Sequence, residues 1–222
     1  IKRKKEIRDA LKRQIREGNE IDKDEQRRPL TVSETLHTRS FWFLWTTWIL
    51  AGAAGVSMTV LSTGYGLSLG LPLEGAVLIL TAFNLTNGTG RLASGYFSDR
   101  LGRRRVMSLA FLAAGLAYFL FPLAGDLPTS AILAAVVGLS FGTLFSVSAP
   151  LVADCFGLDH FGAIFGLTFA AYGFLAGPLG PTLSGYLLDL NGGNFIPIFL
   201  YLGAFSLLAA LSIRQVVSPE RR

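Results

Sequence analysis

The sequence predicts an all-α, polytopic membrane protein with six transmembrane helices, and three observations carry that prediction. First, six apolar runs follow one another: Phe41–Leu67, Gly75–Phe97, Val106–Ala124, Thr129–Val152, Phe161–Leu187 and Phe195–Ile213. They are uncharged except for Arg91 in the second. Each holds roughly the 17–25 residues that take an α-helix across ~30 Å of hydrocarbon. Second, outside Arg91 the lysines and arginines fall in only three places: before Phe41, in the turn Arg100–Arg105, and after Ile213. Counting spans in order, these segments share one side of the membrane. The connections Ser68–Glu74, Gly125–Pro128 and Leu188–Asn194 on the other side contain no Lys or Arg. This positive-inside pattern assigns both termini to the cytoplasm, with the plasma or inner membrane as the expected location. Third, many of the 25 glycines lie inside the runs, four apart at Gly138/Gly142, Gly162/Gly166 and Gly173/Gly177. That spacing lets helix backbones approach closely in lipid.

Helices are the expected solution because a bilayer leaves no water for unpaired backbone groups. The alternation of an outer-membrane barrel is absent. The net charge of +5 would suit nucleic acid, but its confinement to one membrane side points to lipid headgroups instead, and no nucleic-acid partner is expected.

Residues 1–40 form a basic cytoplasmic linker. Within it Ile7, Leu11 and Ile15 recur every four residues among Lys2, Lys4, Lys5, Arg8, Lys12, Arg13 and Arg16. Two readings fit: an amphipathic helix on the inner leaflet, or a solvated linker with helical character. The chain begins with Ile rather than Met and is expected to be part of a longer one.

Residues 41–213 form the six-helix bundle. The first span opens with Phe41, Trp42, Trp45 and Trp48, an expected aromatic anchor at the headgroup boundary. The fifth closes on Gly177-Pro178-Leu179-Gly180-Pro181, where two prolines free carbonyls and bend the helix. Residues 214–222 are a cytoplasmic tail.

The second span carries the strongest candidate site. Arg91 lies about eight residues inside Asp99, so ~12 Å from the cationic turn at 1.5 Å per residue. An arginine at the membrane centre costs about 2.5–3.5 kcal/mol on insertion scales. Thr81, Asn84, Asn87, Gly88 and Arg91 fall three or four apart and share one helix face. No acid within the spans is available to pair with Arg91. Two readings fit: a guanidinium that snorkels to the interface, or one that faces a watery passage and binds an anionic substrate, matching a carboxylate in bidentate geometry. Weaker polar stripes are Thr168/Tyr172, Ser140/Thr143/Ser146 and Ser62/Tyr65, whose hydroxyls can also bond carbonyls one turn back. The expected substrate contacts are Arg91, Asn87, Asn84, Tyr172 and Tyr65.

No cofactor, metal site or enzyme activity is expected. There is one cysteine, Cys155, and the two histidines, His37 and His160, are distant in sequence. No Gly-x-x-x-x-Gly-Lys stretch, nucleophile–base pair or paired carboxylates mark a catalytic site.

The turn Gly95-Tyr-Phe-Ser-Asp99-Arg100-Leu-Gly102-Arg103-Arg104-Arg105 resembles the signature loop of the major facilitator superfamily, Gly-x-Leu-Ala-Asp-Arg-x-Gly-Arg-Arg/Lys. Gly95, Asp99, Arg100, Gly102, Arg103 and Arg104 fit, and Phe97 stands where Leu is usual. In that superfamily the loop stabilises one of the alternating conformations. The resemblance covers essentially the whole chain. It implies the C-terminal half of a twelve-helix fold, with an N-terminal six-helix half as partner and the lipid bilayer around both.

Within the superfamily the chain is similar to the oxalate/formate antiporter and monocarboxylate transporter group. The likeness rests on Gly90-Arg91, on Phe161-Gly-Ala-Ile-Phe-Gly-Leu, and on Gly180-Pro181-x-x-Ser-Gly185-Tyr-Leu-Leu-Asp189. It implies that Arg91 contacts a substrate carboxylate. Tyr172 stands where oxalate exchangers carry lysine, and Asn87 where monocarboxylate transporters carry aspartate. These departures favour a monoanion over a dianion and count against proton coupling through residue 87. The expected function is secondary transport of a small organic anion by alternating access, with a coupling proton or counter-anion left open. A neutral-solute or drug carrier of the same fold, or a non-transporting membrane scaffold or sensor, is the alternative.

Overall fold

A computed structural model of the protein describes residues 29–217. Among these residues there are helices and turns and no strand. The basic repeat Ile7/Leu11/Ile15 lies outside the described residues, as do residues 218–222. After a short helix, Val32–Leu36, come six helical rods. Rods one and two are Arg39–Ser68 and Leu73–Leu101. Rod three is Arg103–Leu120, extended by a 3-10 turn at Phe121–Leu123, and rod four is Leu127–Phe156. Rod five combines Phe161–Ala170, a π-helical stretch Ala171–Ala176, and Gly177–Leu190. Rod six is Ile196–Arg214.

Five of these rods are long and apolar enough to cross a membrane, and rod two is not among them. Its sequence explains the difference from a uniform set of six. Its 29 residues include Glu74, Arg91, Asp99 and Arg100, two asparagines and four glycines. A helix of full spanning length is thus held among apolar neighbours while presenting a polar face.

Local chemistry sets the ends. Thr31 and Glu34 make a capping box, with the Glu34 carboxylate accepting from the Thr31 N–H at 2.8 Å. Asp126 caps rod four by accepting from the Thr129 N–H at 2.8 Å, which holds its carboxyl below the usual carboxylate range. Rods two and three meet at Gly102, whose φ of 92° lies where L side chains are strained. Long-range bonds gather four rod ends together. Ser40 donates to the Val217 carbonyl at 2.6 Å, Arg104 to the Val216 carbonyl at 2.8 Å, and the Leu30 N–H to the Phe156 carbonyl at 2.9 Å. Arg39, Arg100–Arg105 and Arg214 therefore share one end of the bundle.

Packing depends on glycine at several crossings, and the one that positions rod two lies against rod four. A Cβ on Gly138 would sit 2.1 Å from the Phe83 carbonyl oxygen, and one on Gly142 would sit 2.3 Å from that of Asn87. Rods two and four touch backbone to backbone there. The other expected pairs do not work this way. Gly162, Gly166 and Gly173 have no atom within 4 Å of an added Cβ, and Gly177 meets only the Tyr172 carbonyl of its own rod. Rod five is also the most exposed of the five apolar rods.

The tryptophan anchor needs a second correction. Trp42 is exposed and its Nε1–H donates to the Leu36 carbonyl at 2.9 Å. Trp48 is fully buried against Phe145 and Phe169, because six residues on from Trp42 the helix has turned its face into the bundle.

Candidate functional site

Arg91 is placed by the close contact of rods two and four. With Gly142 lacking a side chain, the rod-two backbone at Asn87–Arg91 lies directly on rod four. The Arg91 guanidinium then stacks over Phe145, one turn along rod four, at 5.0 Å from the ring centroid. Its Nε–H donates to Asn87 Oδ1 at 3.3 Å, the bond that four-residue spacing on one helix face allows. Among the described residues no carboxylate makes an ion pair with Arg91. Arg91 is exposed, its face is covered by a ring, and its two terminal nitrogens are free to form a fork.

Phe145 belongs to an aromatic wall drawn from three rods. Its ring meets Trp48 of rod one and Tyr172 of rod five, each at 5.3 Å and nearly edge-on, and Phe141 of its own rod at 5.0 Å. The Trp48 Nε1–H is buried with no hydrogen-bond partner among the described residues. Tyr172 reaches the wall through the π-helical turn, in which the Gly177 N–H bonds the Tyr172 carbonyl five residues back. Pro178 follows at once; its ring would clash with the carbonyl four residues before it, in a regular helix that of Phe174, and the wider turn relieves this. Gly52 of rod one makes room, since a Cβ there would lie 3.1 Å from the Tyr172 ring.

Of the other expected contacts, Asn84 is exposed on the same face of rod two. Tyr65 is not brought to this cluster. It is buried in the last turns of rod one, and its hydroxyl lies 3.0 and 2.8 Å from the carbonyl oxygens of Phe121 and Ala124, to which it can donate. Thr143 and Thr168 bond carbonyls of their own helices, at Leu139 and Ile164. Ser146 instead meets Ser94 of rod two at 2.8 Å.

The cationic turn is a second organised region. Gly95 precedes it by one turn of rod two. Arg103 bridges two acids: its terminal nitrogen lies 3.5 Å from Asp99, and its Nε donates to Asp154 at the end of rod four. Arg100 stacks over Tyr96 at 4.3 Å, and Arg104 bonds the end of rod six. Gly102 supplies the reversal that brings Asp99 and Arg103 together.

Sequence reasoning missed Phe145, Trp48 and Asp154. For Asp154 a signal existed: it lies in Ala153–His160, the one connection on the cationic side with no cation of its own. Its partner comes from the neighbouring turn.

Relatives agree with this architecture. The oxalate:formate antiporter of Oxalobacter formigenes is 31% identical over 140 residues, 62% of this chain and 34% of its own length. Monocarboxylate transporter 13 of Rattus norvegicus is 28% identical over 195 residues, 81% of this chain and 45% of its own. Apicoplast pyruvate carrier 1 of Toxoplasma gondii is 31% identical over 170 residues, 71% of this chain and 30% of its own. The chain thus spans less than half the length of each of these relatives. The family model of the Major Facilitator Superfamily matches residues 43–222, which takes in the six rods apart from the first four residues of rod one, together with the glycine reversal and Arg91. With helical architecture, signature turn and family match in accord, this chain belongs to the Major Facilitator Superfamily of membrane proteins.

Proposed function

We propose that the complete protein is a secondary transporter of a small organic monoanion, in which this chain is the C-terminal half. The observation that carries the proposal is Arg91: an exposed guanidinium inside a spanning-length helix, stacked on Phe145, with no acid paired to it among the described residues. Such a charge is stabilised by a carboxylate arriving from outside, and its two free terminal nitrogens fit one in a fork. Asn87 orients the guanidinium through Nε, Asn84 adds polar character to the same face, and Tyr172 borders the site beside Phe145. One cation suits a monoanion better than a dianion.

Transport then follows by alternating access, this half rocking against an N-terminal half around a midplane site. The Asp99–Arg103–Asp154 bridge ties rods two and four at the cation-rich end and would help hold one of the two arrangements. The relatives, an oxalate:formate antiporter, a monocarboxylate transporter and a pyruvate carrier, support a carboxylate substrate. The test is uptake of labelled formate, lactate, pyruvate and oxalate by the full-length protein in proteoliposomes, alongside Arg91→Lys and Arg91→Ala. Monocarboxylate uptake that collapses in both variants at normal expression is expected. Unchanged uptake in Arg91→Ala would overturn the assignment.

A further inference from the structure

We propose that Arg104, Arg105 and Arg214 form a binding site for the phosphodiester headgroup of an anionic phospholipid, in the crevice between rods three and six. The site is separate from Arg91 and stands or falls independently of it. A recess of about 470 Å³ at the cation-rich end is lined by Arg104, Arg105, Ser108, Leu109 and Arg214. Three guanidinium-bearing residues thus line one recess that no described acid lines. Arg104 and Arg105 also border a neighbouring recess with Asp99 and Asp154, and both of those acids are engaged with Arg103.

Two of the three arginines are held in place by neutral groups. The Arg214 Nε–H donates to Ser108 Oγ at 2.8 Å, and that hydroxyl donates onward to the Ala210 carbonyl at 3.0 Å. Arg104 is fixed through the Val216 carbonyl. These bonds orient the side chains and leave their charges uncompensated. The Arg105 side chain makes no hydrogen bond or ion pair with any described residue, its backbone N–H bonding only the Gly102 carbonyl. Like charges at such proximity repel, and a phosphate, with several acceptor oxygens, relieves the repulsion.

The surroundings select a lipid over a free anion. Leu109 lines the same recess, and Leu112 and Leu116 continue along one face of rod three, all three exposed. On rod six, exposed Leu211 and Leu208 step back from Arg214 at three-residue intervals. A cationic head region that passes into leucine faces has the polarity profile of a phospholipid. Basic pockets between spanning helices on the inner-leaflet side match such headgroups.

The experiment uses full-length protein in detergent, given phosphatidylglycerol or phosphatidylcholine and read by native mass spectrometry for retained lipid. Wild type is expected to retain phosphatidylglycerol preferentially. Arg105→Gln with Arg214→Gln should weaken retention by roughly thirtyfold, from the contribution of two cations near an anionic headgroup. Arg105→Lys with Arg214→Lys should keep most of it, which separates lost charge from lost folding. As a second reading, phosphatidylglycerol should raise the thermal midpoint of wild type and not of the double glutamine variant. Equal retention by wild type and the glutamine variant would overturn the proposal. So would displacement of the lipid by inorganic phosphate at matched concentration, which would mark a site for free phosphate.

Discussion

The contact that places Arg91 can be tested without touching a polar atom. Gly142→Ala adds one methyl group where 2.3 Å separates the new Cβ from the Asn87 carbonyl oxygen and 3.3 Å from the Arg91 nitrogen. Ordinary C···O contacts lie near ~3.3 Å, so rod two must move away by about 1 Å. The partner atoms are backbone, with no flexible end to swing aside, and overpacking of this kind destabilises by about 1–3 kcal/mol. The displaced stretch carries both Asn87 and Arg91. If the shift removes one of two charge-assisted bonds to the proposed carboxylate substrate, worth ~1.5–3 kcal/mol, the apparent affinity falls about tenfold or more. The assay is concentration-dependent uptake in proteoliposomes together with a thermal unfolding midpoint in detergent. Gly162→Ala is the control, because nothing lies within 4 Å of its added Cβ. It should melt at or above the wild-type temperature with unchanged uptake, since replacing glycine in a helix lowers unfolded-state entropy. A Gly142→Ala protein with wild-type melting and wild-type KM would refute the close approach of rods two and four and the positioning argument built on it.

Two further variants probe features away from the proposed anion site. Tyr65→Phe removes a buried hydroxyl near two carbonyls, so the unfolding midpoint should fall in keeping with a loss of about 1–3 kcal/mol, while KM for the anion stays at the wild-type value; a raised KM would bring Tyr65 back into the site. Asp126→Ala removes the cap of rod four. Because the Thr129 N–H depresses the folded carboxyl, its contribution is present above the unfolded value of 3.8 and is lost as pH falls through the folded one. Melting curves from about pH 6 down to about pH 3 should therefore show a gap between wild type and variant that closes at the acid end.

Much of the fold was legible because a bilayer constrains sequence so strongly. Hydrocarbon thickness sets run length, and cations mark alternate connections, so a helical, polytopic chain could be read before any coordinates. The polarity of rod two was visible in the same residues that nominated Arg91, since Asn84, Asn87, Gly88 and Arg91 on one face are what keep it from the apolarity of the other five rods. The Asn87–Arg91 bond is local, four residues along one helix, and periodicity reveals such pairs. Phe145 and Trp48 were not legible as neighbours of Arg91, because their contact depends on how rods one, two and four cross. One-dimensional spacing also treated all three glycine pairs alike, whereas only Gly138 and Gly142 face another backbone. The prolines announced a break in rod five; that the break takes the form of a π-helical turn carrying Tyr172 is a property of three-dimensional packing.

That turn bears on how many residues rod five can hold. Between Ala171 and Ala176 the rod holds, in effect, one supernumerary residue relative to a regular helix. Elsewhere in a spanning helix, losing a residue rotates everything beyond it by roughly 100° and turns buried faces outward. Here a single deletion would restore regular winding and leave both flanks in register, with Thr168 still inside and Gly180 still seated on the Ala53 carbonyl. Rod five thus contains one short window in which chain length itself is free to vary, and the residue repositioned by such a change would be Tyr172.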